Sequence, residues 1–161
     1  MVLAIVVGLP FTTRTWALPV LCALYRPREI AAKNHRRFKT PCELARQLGC
    51  VLRRWFPDRR LVLLGDGGFA SFDLAQRIDR MGAVLVARFY DDANLYAPPP
   101  RPMPGRRGRK PLTGAKLPAP KATAAHAKAD EVTLRWYGGS TRRVALVSRT
   151  ALWRRPGRGV T

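Results

Sequence analysis

Acidic residues are scarce in this chain of 161 residues, which has 10 Asp and Glu against 30 Lys and Arg and a formal net charge of +20. At such an imbalance the folded chain repels itself unless a polyanion lies near, and nucleic acid is the commonest polyanion that proteins bind. A high-GC genome that enriches surface arginine is the alternative interpretation. The charge therefore favours a nucleic-acid partner without excluding that alternative.

Metal-binding side chains are also few. Cys22, Cys42 and Cys50 are widely spaced with no CxxC pair, and His35 and His126 lie far apart in the sequence, which argues against a zinc site. An odd number of cysteines argues against a disulfide framework and fits a reducing cytosol. These features predict a cytoplasmic protein without structural zinc.

No apolar stretch is long enough to cross a membrane. The apolar start of the chain lacks the basic residues that open a signal peptide, and Pro10, Arg14 and Pro19 interrupt the residues after it. The sequence therefore predicts no membrane partner.

The first 40 residues predict a hairpin and a loop. Val2–Val7 is rich in β-branched residues and is typical of a strand buried on both faces, and Trp16–Tyr25 is a second apolar run. Their short connection favours an antiparallel hairpin. Glu29–Lys39 is polar and basic, and is interpreted as a loop.

The clearest helix signal lies at residues 41–56. Thr40 is a candidate N-cap, Pro41 follows at the first helical position, and Glu43 stands where a capping box needs it. Apolar residues then recur at helical spacing. The pattern predicts a helix over Pro41–Phe56.

Strands and helices alternate over the next thirty or so residues. Leu61–Leu64 and Ala83–Phe89 are typical of buried strands, and the helix predicted over Phe72–Met81 between them has Ser71 as its cap. Strands joined through a helix imply a right-handed crossover and a parallel part of the sheet. The fold class predicted is α/β, a mixed sheet with helices.

Composition changes abruptly at Pro98. From there to about Ala129 the chain is rich in Pro, Gly, Ala, Arg and Lys and contains no acid, which predicts an extended, mobile segment. Glu131–Tyr137 and Arg143–Ser148 then predict a β-hairpin around Gly138-Gly139. The division predicted is residues 1–97 as a core, 98–130 as a basic flexible insertion, and 131–161 as a hairpin with a basic tail.

The basic segment contains a cluster of cations interleaved with glycine: Arg106, Arg107, Arg109 and Lys110. A flexible cationic cluster of this kind suits contact with DNA phosphates without reading bases. A linker whose charge only keeps it soluble is the alternative. The absence of acids favours DNA contact.

Asp66 has the most unusual setting of the acids. It follows the predicted strand Leu61–Leu64 and precedes Gly67 and Gly68. Ligands bind beyond the carboxyl ends of parallel strands, and hard cations such as Mg²⁺ take carboxylates together with phosphate oxygens. A turn-capping aspartate is the alternative interpretation.

Several segments together resemble the DDE-type transposases of bacterial insertion sequences, the DDE superfamily endonucleases. The segments that carry the resemblance, in chain order, are Ala17–Val20, His35–Thr40, Glu43–Leu48, Arg54–Pro57, Leu64–Ala70, Leu95-Tyr96, Gly105–Arg109 and Trp136–Gly139. They span nearly the whole chain in the family's order.

The resemblance implies an RNase H-like core in which three acids bind two metal ions, with Mg²⁺ as cofactor and DNA as partner and substrate. It implies that Asp66 is the second of the three acids. It also implies that the chain is an internal fragment, which begins after the first acid and ends before the last, and is inactive alone. A bacterial cytoplasmic location, at the nucleoid when DNA is bound, follows from the same family.

Two other outcomes follow from the implied truncation. The chain could be a non-catalytic nucleic-acid-binding remnant of a degenerate transposase, which is the alternative function. Strand edges left unpaired by a missing strand would also favour self-association.

Overall fold

The computed structural model describes residues 1–100, 108 and 111–153. They form a mixed α/β structure with four helices and several two-stranded sheets. The chain divides into two compact units, the first formed by Met1–Arg88 with Tyr137–Ser140 and the second by the other described residues from Phe89 onward. The three-part division at residues 98 and 131 stays a prediction.

The first unit opens with the predicted hairpin. Strand β1 (Val2–Gly8) pairs with strand β2 (Thr15–Cys22) in an antiparallel ladder that shifts register between Leu3 and Ala4. The prediction that β1 is buried on both faces is wrong, because Val2 and Val6 are exposed. The short helix α1 (Arg28–Lys33) then replaces part of the predicted loop.

Helix α2 (Pro41–Trp55) confirms the strongest helix signal. The Thr40 hydroxyl accepts a hydrogen bond from the Glu43 N–H at 3.2 Å, and the Glu43 carboxylate accepts one from the Thr40 N–H at 2.8 Å. This reciprocal pair satisfies two N–H groups that a helix start leaves unpaired. Leu44, Leu48 and Leu52 recur at helical spacing and are buried.

Strands β3 (Leu61–Gly65) and β4 (Ala83–Ala87) form a parallel ladder joined through helix α3 (Phe72–Arg80). The predicted parallel part of the sheet is thus confirmed. Ser71 stands at the N-cap of α3, but its side chain makes no capping hydrogen bond, so that detail of the prediction is wrong.

The core of the first unit lies on one side of this ladder. Leu74 and Ile78 of α3 are buried with Ala83, and Leu61, Leu63 and Leu85 pack against them from the strands. The prediction of a buried strand at Leu61–Leu64 is wrong for its other face, because Val62 and Leu64 are 49% and 69% exposed.

In the second unit, strand β5 (Leu95–Tyr96) pairs antiparallel with strand β8 (Leu152–Trp153). Helix α4 (Pro120–His126) lies within the segment predicted to be extended, so the prediction is wrong for those residues. Pro120 opens the helix, where a missing N–H costs nothing, and alanines follow it.

The second hairpin is confirmed. Strands β6 (Asp130–Arg135) and β7 (Thr141–Leu146) are antiparallel. Gly138 and Gly139 between them have φ of 74° and 81°, a region that glycine adopts without steric cost. The Arg142 guanidinium lies 5.2 Å from the centre of the Trp136 ring, which agrees with a packing role for this tryptophan.

Candidate active site at the end of strand β3

Asp66 is held by a short turn directly after β3. It caps the 3-10 turn Gly67–Phe69, and its Oδ1 accepts a hydrogen bond from the Gly68 N–H at 2.9 Å. The Asp66 carbonyl accepts a second bond from the Phe69 N–H at 3.1 Å. The side chain is exposed to solvent. Turn capping and an accessible carboxylate therefore occur together at this residue.

Gly65 is what allows the turn to fold back onto the strand. A Cβ placed on Gly65 would lie 2.8 Å from the Cβ of Phe69, closer than real side chains approach each other. Phe69 packs against the buried cluster of α3 and β4, so it anchors the turn to the core. The packing of Phe69 thus fixes the backbone on which Asp66 is mounted.

The carboxyl end of β4 lies beside this turn. Gly65 pairs with Ala87 in the parallel ladder, and a Cβ on Gly67 would meet the Arg88 carbonyl oxygen at 3.9 Å. Arg88 is exposed and directly follows β4. An acid and a base therefore follow neighbouring parallel strands at the same edge of the sheet.

The first turn of α2 also contacts the site. The Cys42 thiol lies 3.7 Å from the Gly68 carbonyl oxygen, to which it donates a hydrogen bond. Burial raises the pKa of Cys42, and a hydrogen bond with the Ser71 side chain lowers it in part. The net pKa is raised, so the free thiol is less readily ionised than an ordinary cysteine.

The Glu43 side chain takes part in the capping box at the start of α2. The backbone hydrogen bond from Thr40 lowers the pKa of Glu43, and the nearby charges of Arg37 and Arg46 lower it further. Its Oε1 also forms an exposed ion pair with Arg37 at 3.3 Å. These contacts agree with its interpretation as a capping residue.

Other acids among the described residues are also exposed. Asp73 and Asp79 are exposed on α3, Asp91 and Asp92 are exposed in a turn of the second unit, and Glu131 is exposed on β6. The described residues contain no group of three or more His, Cys, Asp or Glu side chains that could hold a metal ion. Without such a group, the described residues do not fit the requirements of a two-metal site.

The predicted cationic cluster, Arg106, Arg107, Arg109 and Lys110, lies outside the described residues. Arg88 was missed by sequence reasoning. In a chain with 30 basic residues, a single arginine after a strand carries no signal of its own. The register of β3 with β4 is what identifies its position.

Within the part of the chain that is described, none of the helices combines the length and apolar character needed to traverse a lipid bilayer. No curated protein and no solved structure matches the chain significantly. A family model described as DDE superfamily endonuclease matches residues 3–145, a range that includes Asp66, the α2 and α3 helices and all but one end residue of each hairpin. The chain belongs to the DDE superfamily endonucleases.

Proposed function

We propose that this chain is part of a DNA transposase and acts on transposon DNA of a bacterial insertion sequence. The observation that carries the proposal is the position of Asp66, exposed at the carboxyl end of a parallel strand within the range that matches the family. Ligands of parallel sheets bind at this edge. In a bacterial cell the chain would work in the cytoplasm, on DNA of the nucleoid.

The first unit is proposed to be an RNase H-like core. An antiparallel hairpin, a helix and a parallel pair joined through a second helix follow one another in Met1–Arg88, in the order that such a core requires after its first strand. In this arrangement Asp66 takes the place of the second family acid. That assignment makes Asp66 the proposed catalytic and metal-binding residue of this chain.

Asp66 and Arg88 have complementary roles in this proposal. The Gly68 N–H holds Oδ1 of Asp66, so the carboxylate has a fixed direction before any ligand arrives. Arg88 places a positive charge at the same edge, where a guanidinium can hold a DNA phosphate. Together they would position the DNA backbone at the end of the sheet.

The family is generally dependent on divalent metal ions, and Mg²⁺ is the proposed cofactor. When bound, such ions activate a nucleophile and stabilise the leaving oxygen of a phosphodiester. The described residues contain no group of three or more His, Cys, Asp or Glu side chains, so they do not form a complete metal site. We therefore derive no cleavage step for this chain and propose that any metal binding by Asp66 alone is weak.

The second candidate function is a non-catalytic nucleic-acid-binding remnant of a degenerate transposase. It is favoured by the lack, among the described residues, of any group of three or more metal-binding side chains, together with a net charge of +20. Both candidates require DNA contact through the basic segment, for which Arg106, Arg107, Arg109 and Lys110 are proposed. They differ in whether the chain is part of a transposase that cleaves DNA.

The affinity for duplex DNA across a salt series tests the contact with DNA. Neutralised phosphates release counterions, so affinity should fall roughly 100-fold between 50 and 200 mM salt for about four phosphate contacts. A double Arg106→Ala/Arg107→Ala variant should lower the slope of log K against log salt by about 2.

The matched control is Arg77→Ala/Arg80→Ala on α3, which removes the same charge from exposed positions of the first unit. It should change the slope less than the first pair does. An affinity that does not respond to salt, or no binding at low salt, would remove the proposed action on DNA.

A further inference from the structure

The basic residues of the first unit are densest around helix α1. Residues 26–39 contain six Lys and Arg against one acid, Glu29. The helix is anchored at Ala31, which is 1% exposed, whereas residues 32–37 are all exposed. A short helix with one buried contact therefore presents its cations to solvent, and the proposed function gives them no role.

The chain leaves α1 through a turn whose backbone is hydrogen-bonded twice. The His35 N–H donates to the Ala32 carbonyl at 3.0 Å, and the Arg36 N–H donates to the Ala31 carbonyl at 2.8 Å. This pair of bonds is the Schellman motif, which ends a helix by satisfying carbonyls of its last turn. The direction in which the chain leaves α1 is therefore fixed by the backbone.

His35 takes the position in this motif that glycine usually holds. Its φ is 49°, and among the described residues it is the only one other than glycine with a positive φ. Left-handed backbone is costly for a residue with a side chain, although histidine tolerates it more readily than β-branched residues do. The strain therefore lies at the residue that sets where Arg36 points relative to α1.

Packing holds the chain on both sides of the turn. The Arg28 guanidinium lies 5.3 Å from the centre of the Phe38 ring, and the Tyr25 ring meets the Phe38 ring edge to face at 6.4 Å between centroids. Arg37 is held by its ion pair with Glu43 at the start of α2. These contacts join α1 to the residues that lead into α2, so the basic turn is not a free loop.

Lys33 and Arg36 flank His35 and are available to a ligand. Both are exposed, and within the described part of the chain neither forms an ion pair with an acid. Lys33 stands in the last turn of α1, where the Schellman bonds already occupy carbonyls of the helix end. Exposed cations on a fixed backbone, without acidic partners, suit the phosphates of a nucleic-acid backbone.

We propose that Lys33 and Arg36 form a phosphate-binding site for duplex DNA, and that His35 is a positioning residue that directs Arg36 through its left-handed backbone. The site is separate in the sequence from the basic segment around Arg106. It rests on the proposed action on DNA, because it names a further surface for the same partner. Cations that are held before binding lose less conformational entropy than cations on a free loop.

Binding of a short DNA duplex across a salt series tests the two cations. The Lys33→Ala/Arg36→Ala variant should lower the slope of log K against log salt by about 2, because two phosphate contacts are lost. Its affinity at low salt should fall by about tenfold or more. The matched control is Arg77→Ala/Arg80→Ala, which removes the same charge from exposed positions of α3 and should change both quantities less.

Two variants at His35 test the turn without removing a Lys or Arg. Valine strongly disfavours left-handed backbone, whereas glycine adopts it freely. His35→Val should therefore lower both the DNA affinity and the salt slope, and His35→Gly should retain the values of the parent chain. Melting temperatures measured in parallel show whether each variant is folded, and the exposed pair Lys33 and Arg36 tests the site independently of that result.

The outcomes separate this inference from the proposed action on DNA. A parent chain that binds DNA with a steep salt response, while Lys33→Ala/Arg36→Ala changes no more than the control, would overturn the inference alone. Equal affinities of folded His35→Val and His35→Gly would overturn the positioning role. A double variant that loses affinity for duplex RNA but not for duplex DNA would overturn DNA as the partner. No DNA binding by the parent chain would overturn both this inference and the proposed action.

Discussion

The two faces of the β3–β4 ladder have similar sequences and opposite surroundings. On one face Leu63 and Leu85 pack against the core formed with α3, while on the other Val62, Leu64 and their neighbours on β4 are exposed. Both faces are apolar, so hydrophobicity alone does not distinguish them. The difference shows that an apolar strand sequence allows both faces to be buried. Whether a face is buried depends on another element that packs over it.

The largest effect should come from truncation of the covered face. Ile78 has no exposed surface, so Ile78→Ala should lower the free energy of unfolding by about 3 kcal/mol through lost burial and a cavity. Leu64→Ala on the other face should cost less than about 1 kcal/mol, because most of its side chain is already in water. Urea unfolding of both variants measures the comparison.

Equal costs at the two positions would break the contrast. They would mean that the face containing Leu64 is covered in solution by something that the described residues do not supply. A small loss of unfolding free energy in Leu64→Ala with a large loss in Ile78→Ala would support the difference between the two faces.

Arg53 links the segment after α2 to the segment after α3 through hydrogen bonds. Its guanidinium donates hydrogen bonds to the carbonyls of Phe56, Pro57 and Arg59 after α2, and to that of Gly82 after α3 at 2.7 Å. Arg53→Ala should cost about 2 kcal/mol, because these carbonyls lose a charged donor. The control is Arg54→Ala, an exposed neighbour, which should stay within about 0.5 kcal/mol in the same thermal or urea melt. Similar losses for both arginines would show that charge, and not these bonds, matters.

The smallest effect concerns the capping box at the start of α2. Thr40→Ala should cost about 1 kcal/mol, because the Glu43 N–H loses its acceptor. The pKa of Glu43 is lower in the folded chain than in the unfolded chain, so its contribution is present above the unfolded pKa. That contribution is lost as pH falls through the folded pKa.

Melting temperatures across an acid series check this sign. The parent chain should lose more stability on acidification than Glu43→Gln, in which no carboxylate titrates. A parent chain that gains stability between pH 5 and 3 relative to that variant would contradict the capping role.

The features that could be predicted from the sequence depend on residues that are adjacent in the chain. The start of α2 was predicted from Thr40 and Glu43, which supply the hydrogen bonds of a capping box, and from Pro41, which suits the first helical position. The hairpin turn was predicted from Gly138-Gly139, because the turn requires positive φ. Both predictions were confirmed. The position of Asp66 at the end of a strand was predicted in the same way, from the apolar run that directly precedes it in the sequence.

Other features were not encoded locally. The Ser71 hydroxyl sits at a cap position but makes no capping bond, because the N-cap position alone does not fix where the hydroxyl points. Strands β5 and β8 are two residues long, too short for any periodicity. Arg88 became a candidate only through the register of β3 with β4, which depends on tertiary pairing.

A plasmid-nicking assay on the 161-residue chain with Mg²⁺ or Mn²⁺ tests most directly whether the metal site at Asp66 is incomplete. The assay is run under conditions in which DNA binding has been measured. The described residues contain no group of three or more metal-binding side chains, so we expect binding without nicking. Metal-dependent nicking that disappears in Asp66→Ala but persists in Asp79→Ala, an exposed acid of α3, would contradict this expectation. It would show that Asp66 has partner acids that the structure does not bring to it.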